Sequence, residues 1–192
     1  MKGTWRSRSV WKLALVLLCT AVSCTFDYGT GESQGTDQPD IIMHDVEYVR
    51  VRNGEPMVRF EAETAERYEK KQIMELSSFS FEQYNTGSGD VNASGEAGAA
   101  SVELDSGNVR LQERVLIIVD SEDITIETDR LTWEDSNRVL SGGEDDEVSV
   151  YRADGTYMNG RGFSADARRR TWEFTSGIQG TYVHEDEEEE SQ

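Results

Sequence analysis

The stretch "NGRGFSADARRRTWEFTSGIQG", residues 159–180, decides the fold. It opens on spaced glycines, reaches Asp166, crosses three arginines and closes on alternating apolar residues with two more glycines. It holds no nucleophile motif, no metal-ligand spacing and no phosphate cradle. Its outline occurs three more times upstream. "AETAERY" from Ala62, "GEAGAAS" from Gly95, "ETDRLTW" from Glu127 and "GRGFSAD" from Gly160 start 33, 32 and 33 residues apart. Each continues through a turn into a second run that finishes apolar. Periods of this length belong to stacked supersecondary units sharing one continuous core. A unit of this size accommodates a few strands of ~5–6 residues with their turns.

From Ile41 onward the chain reads as short alternating runs bounded by Gly, Asn, Asp or Ser. "VEYVRV" is followed by "NGEP" and "MVRFEAETA", then "SSFSFEQY", "SVELDSGNVRL", "VLIIVD", "ITIETDRLTW", "EVSVYR" and "TWEFTSGIQGTYV". Period two is clear in Phe79 and Phe81, Val109 and Leu111, Ile124 and Ile126, Val148 and Val150, Trp172 and Phe174. Such alternation puts one face of each strand in an apolar interior and the other in water. The one helix candidate, "AERYEKKQIMEL" (65–76), keeps no 3.6-residue period and is expected to be strand, turn at 69–72, strand. Only Pro39 and Pro56 interrupt the chain. The expected fold is all-β: repeated antiparallel strands in a long, open-ended β-jelly roll or related two-sheet form.

The ends read differently. Lys2, Arg6, Arg8 and Lys12 precede the apolar or small run "LALVLLCTAV", Leu13 to Val22, which is about half the ~20 residues of a spanning helix. "AVSC" then resembles a lipobox. Residues 1–23 are therefore expected to be a lipoprotein-type signal peptide, with Cys24 the lipidated first residue of the mature chain. An uncleaved membrane anchor is the alternative. Cys19 and Cys24 are the only cysteines, so cleavage and acylation leave neither free thiol nor disulfide. Residues 24–40 read as a flexible tether, 41–183 as the β-domain, and 184–192, with six consecutive acids, as a disordered acidic tail. The formal net charge is −19; removing residues 1–23 takes four of 19 basic residues and none of 38 acidic ones. Such a chain is repelled by nucleic acid and by anionic lipid surfaces, and no nucleic-acid partner is expected.

Chemistry is sparse. The two histidines, His44 and His184, stand near no nucleophile motif, so no catalytic residues are assigned and an enzyme is not expected. "GGEDDE" (142–147) and "DSEDITIETD" (120–129) crowd oxygen ligands without the spacing of a known Ca²⁺ loop, so no metal site and no cofactor are assigned. Arg168, Arg169 and Arg170 form the one dense basic spot, read either as a polar hairpin tip or as a contact for phosphate on a lipid headgroup. Phe60, Phe79, Phe81, Leu111, Ile117, Ile126, Leu131, Trp133, Phe163, Trp172 and Phe174 form the apolar face. They are core residues, or they line a groove for acyl chains; the sequence leaves both open. Exposed strands at the ends could accept a partner's strand, around Val46, Val49 and Val51 first and Ile178 and Tyr182 last.

The order of anchor, tether and repeated β-domain, closing on "GRGFSAD…WEFTSGIQG", resembles the LptC family of lipopolysaccharide export and its related bridge proteins. The residues that carry it are Gly160, Gly162, Phe163, Asp166, Trp172, Phe174, Gly177, Ile178 and Gly180. One repeat earlier, Thr128, Asp129, Leu131, Trp133 and Gly142 are similar. The resemblance covers roughly 41–183 and implies an LptA/LptC-like jelly roll without catalysis. It also implies lipopolysaccharide or a comparable glycolipid as cargo, an ABC transporter membrane complex (LptBFG-like) as donor, and an LptA-like periplasmic β-jelly-roll protein as acceptor. The implied location is the periplasmic face of the inner membrane. Family members usually keep an N-terminal spanning helix where this chain has the lipobox-like "AVSC", and an outer-membrane lipoprotein stays open as an alternative location. A structural or surface lipoprotein with a solid scaffold is the alternative function.

Overall fold

The computed structural model describes residues 38–183. Six long strands come first: β1 (Ile41–Arg52), β2 (Glu55–Tyr68), β3 (Ile73–Tyr84), β4 (Val91–Glu103), β5 (Val109–Val119) and β6 (Ile124–Glu134). Each pairs antiparallel with the next, as the short turn-rich gaps between alternating runs demand. The first gap is Asn53-Gly54, both at positive φ (55° and 88°), the hairpin turn whose twist matches its strands. A turn forms at 69–72 between two strands, and the described residues contain no helix beyond a 3-10 turn at Asp120–Glu122.

At β6 the sheet forks. Residues 124–128 pair with β8 (Glu147–Arg152), which leads to β9 (Tyr157–Arg161) and β12 (Ser176–Thr181). Residues 132–134 pair instead with β7 (Val139–Ser141), which leads to β10 (Ser164–Asp166) and β11 (Thr171–Glu173). The chain crosses between branches at Gly162 and Phe163 and returns at Phe174 and Thr175. These crossings are pinned by Gly142 N–H to the Phe163 carbonyl (2.9 Å) and Thr175 N–H to the Arg161 carbonyl (3.1 Å). Gly162 has φ 63° and an added Cβ would lie 1.9 Å from Thr175 Oγ1, so the crossing requires glycine. "TWEFTSGIQGTYV" is thus two strands in different branches, and "SVELDSGNVRL" contains a turn rather than running as one strand.

The long strands bend midway. Asp45, Ser78, Glu113 and Arg114 have positive φ, and the ladder shifts register between Glu96 and Ala99 and between Gln112 and Val115. Bulges of this kind bend a strand and increase its twist. The inner rows of both halves then share one core: an added Cβ on Gly142 would lie 3.1 Å from Val148 in one branch and 4.0 Å from Leu131 in the other half of β6. One row reads Ala65, Leu76, Ala100, Leu111, Leu131 across successive strands, so small and large side chains alternate as far as Leu111, where two leucines meet.

The repeat is present, with a shifted register. Arg67, Val102, Trp133 and Ala165 fall in one cross-strand row, 35, 31 and 32 residues apart. The turn residues Gln72, Gly107, Arg138 and Arg170, all at positive φ, keep the same intervals. The sequence alignment at 33, 32 and 33 has the right period but is offset by one or two residues, because the mid-strand bulges take up unequal lengths of chain.

Candidate functional site

The apolar residues singled out from the sequence gather on the inner face. Phe79, Leu111, Ile117, Ile126, Leu131 and Phe163 are buried, each at 7% exposure or less. Phe60, Phe81, Trp172 and Phe174 are half-buried against them, and Trp133 is half-buried in the adjoining row. On this inner face the aromatic rings described form two groups, apart from a Tyr151–Tyr157 pair at 5.0 Å elsewhere. Near β1, Tyr48 stacks on Phe60 at 4.7 Å, and Phe79 lies 6.1 Å from both Phe60 and Phe81. At the branched end, Phe174 lies 5.4 Å from Phe163 and 5.9 Å from Trp172. Between them the core is aliphatic, through Ala97, Val115, Val148 and Val150. Tyr48, Met43 and the buried alanines of β2 and β4 were not singled out from the sequence. The signal for Tyr48 was its alternation with Val46 two residues before it.

The sheet has unpaired edges at both ends. β1 pairs only with β2, β12 only with β9, and β11 only with β10. On β1, Val46 is half-buried while Val49 and Val51 are exposed, the latter at 56%. All of β12 is exposed, with Ile178 at 59% and Tyr182, just beyond it, at 69%. On the outer face a cleft of about 230 Å³ runs behind the backbone of Phe60 and Phe81, between Arg59, Glu61, Ser80, Glu96, Leu116 and Ile118. Arg59 is paired there with Glu47 (2.7 Å) and Glu61 (3.1 Å), which makes this a polar outer wall.

Arg168, Arg169 and Arg170 occupy the turn between β10 and β11. The Asp166 carboxylate organises it, accepting the backbone N–H of Arg168 (2.9 Å) and Arg169 (3.0 Å). These bonds, that of Arg169 foremost, hold the Asp166 carboxyl below the usual carboxylate range. Arg168 donates to the Ser136 carbonyl at 2.7 Å, and Ala167 N–H to that of Arg138 at 3.0 Å, so this turn is fastened to the one between β6 and β7. Arg138 lies in that neighbouring turn, with its guanidinium 5.9 Å from the Trp133 ring centroid. Its signal in the sequence was its position 32 residues before Arg170. In "GGEDDE", Asp146 bonds Arg130 at 2.6 Å and the Gly143 N–H at 3.1 Å, which is turn structure. Among the described residues no three His, Cys, Asp or Glu side chains converge as a metal site.

The sequence matches the family described as lipopolysaccharide-assembly, LptC-related, over residues 13–183. The chain belongs to that family. A repeated, antiparallel, open-edged β-roll is the architecture the resemblance implied, and membership ties the chain to lipopolysaccharide transport in the cell envelope. The family is one of transport-bridge components and is not known for enzymes. The match begins within the apolar run at Leu13 and ends at Val183, before the acidic tail. No curated protein matches the chain. Among the described residues no helix is long and apolar enough to cross a membrane. The segments expected to be a signal peptide, a tether and an acidic tail, with Cys24, fall in residues 1–37 and 184–192 and lie outside the described residues, apart from 38–40 of the tether.

Proposed function

We propose that this LptC-family chain holds the acyl chains of lipopolysaccharide, or a comparable glycolipid, against the inner face of the roll and passes them along a bridge. Cys24 carries the lipid anchor at the periplasmic face of the inner membrane. The donor is an ABC transporter membrane complex and the acceptor an LptA-like β-jelly-roll protein, docked strand to strand at β1 or β12. The observation behind this reading is the continuous inner row from the β1 edge to the branched end, aromatic at both ends and aliphatic between. An acyl chain of a dozen CH₂ groups gains on the order of 10 kcal/mol on leaving water. The interior has only to match the membrane for transfer to run at little net cost once a pump has lifted the lipid out.

A second reading, a solid scaffold lipoprotein that binds a protein partner, is favoured by the closely filled core at Leu131, Val148, Val150 and Phe163. Native mass spectrometry of the full chain in neutral detergent, mixed with a bacterial lipid extract, separates the two. Transport predicts a retained glycolipid adduct that is lost in Trp133→Glu or Phe81→Glu, both at half-buried positions that tolerate change better than Phe163. A bare protein mass in every mixture overturns it in favour of the scaffold.

A further inference from the structure

We propose that Arg138 and Arg170, assisted by Arg168 and Arg169, form a recognition site for a phosphate monoester group at the rim of the roll. The inference rests on the lipid-holding reading above and names the headgroup chemistry that this reading leaves open. Its first support is local construction. Two neighbouring turns are locked together by the Ala167–Arg138 and Arg168–Ser136 hydrogen bonds, so the four arginines are carried on one fixed backbone platform. Asp166, at the end of β10, is committed to backbone N–H groups and to Arg169 (3.6 Å). Beside the neighbouring turn, Asp135 accepts the Trp133 Nε1–H (3.3 Å), and Glu134 accepts from the side chains of Ser136 (3.2 Å) and Asn137 (2.6 Å). Among the described residues Arg138 and Arg170 make no ion pair, and both are exposed. Planar guanidinium forks match phosphate oxygens pairwise.

The second support is position. The row Trp133, Leu140, Ala165 and Trp172 is the last inner row before these turns, and all four residues are half-buried. The arginines begin where that apolar row meets water. An amphiphile with its chains on the inner face must leave its charge at such a boundary, because burying an unpaired charge is prohibitive. The third support is contrast. The turns at the other ends of the strands carry Asp90, Asp120, Glu122, Asp123 and Asp154, in a chain of net charge −19. The turns at the near ends carry acids too, Glu69, Asp105 and Asp135, but against Lys70, Lys71, Arg138 and Arg168 to Arg170. An anion therefore meets net positive turns at one rim and net negative turns at the other.

The test uses the full chain in neutral detergent, with short-chain phosphatidic acid as probe, phosphatidylcholine of the same chain length as control, and binding followed by ³¹P NMR titration. The site predicts that phosphatidic acid binds more tightly than phosphatidylcholine. Arg138→Gln with Arg170→Gln should weaken it by about tenfold or more. Arg152→Gln with Arg161→Gln, the same charge change in the other branch, should alter it by less than about twofold. Competition by inorganic phosphate, sensitive to the same pair, would show that the phosphate group suffices; no competition, with the lipid effect intact, would assign the site to lipid headgroups. Equal weakening by both double variants overturns the site in favour of net charge alone. Equal binding of both lipids, unaffected by the arginines, also overturns it while leaving the acyl-holding interior standing. Binding of neither lipid overturns both.

Discussion

Replacing Phe163 by alanine tests how the two branches are held together. The ring is 1% exposed, sits on the crossing between β9 and β10, and lies 5.4 Å from Phe174. Its removal from the core forfeits a transfer term of about 2–3 kcal/mol. Loss of the aromatic pair adds about 0.5–1.5 kcal/mol. Gly142 and Val148 offer little mobile side chain to refill the space, so part of the cavity persists and the whole cost should reach about 3–5 kcal/mol. Urea unfolding followed by circular dichroism should show a much lower midpoint at unchanged slope. Tryptophan emission should follow the same transition, since Trp172 touches the same cluster. Ile178→Ala, at a 59% exposed position on β12, should cost less than about 0.5 kcal/mol in the same assay. If Phe163→Ala cost less than about 1 kcal/mol, the ring would not be closing the core and the account of the fork would fail.

Arg114 is exposed at a mid-strand bend with φ 56°, so Arg114→Gly should relieve left-handed strain and raise stability by about 0.5–1 kcal/mol, seen as a higher urea midpoint. Three carboxyls are held below their ordinary range: Glu103 by the Ser106 and Asn108 side chains, Asp154 by the Thr156 N–H, and Asp166 by the Arg169 N–H. A depressed folded pKa means stability that is present above the unfolded value and lost as pH falls through the folded one. Unfolding free energy should therefore decline below about pH 4, and Asp154→Asn should flatten that decline. Val49→Lys with Val51→Lys places charges on an exposed edge; the fold should stay within about 1 kcal/mol of the parent, while co-sedimentation with an LptA-like protein is lost. Retained co-sedimentation would remove β1 from the docking proposal.

Much of this was legible because alternation is a direct record of which face is dry. Phe79 and Phe81, Ile124 and Ile126, and Val148 and Val150 announce strands whatever those strands pair with. Pairing itself is not written that way. Nothing in "ITIETDRLTW" says that its first half will join β8 and its second half β7, because both halves alternate alike. "TWEFTSGIQGTYV" kept its period across Phe174 and Thr175 although the chain changes branches there. The repeat was visible as a period but misaligned, since bulges at Glu96–Ala99 and Gln112–Val115 alter the residue count without altering composition. Arg138 was missed for a related reason: it is isolated in sequence and joins Arg168 to Arg170 only through the adjacency of two turns. The alanines of β2 and β4 drew no notice either, because their value lies in the large neighbours they make room for.

The meander of β1 to β6 also works as a ruler. Neighbouring strands stand about 4.8 Å apart, so each two-strand unit lengthens the sheet by about 10 Å. From β1 through β6 and β8 to β12 the sheet measures about 38 Å along its own surface, set by the number of strands rather than by any one of them. Inserting a further unit between β2 and β5 would extend that length while the fork, the Phe163 closure and both outer edges kept their present neighbours. The distance such a chain covers is thus adjustable in fixed steps, by a change in copy number that leaves both of its ends as they are.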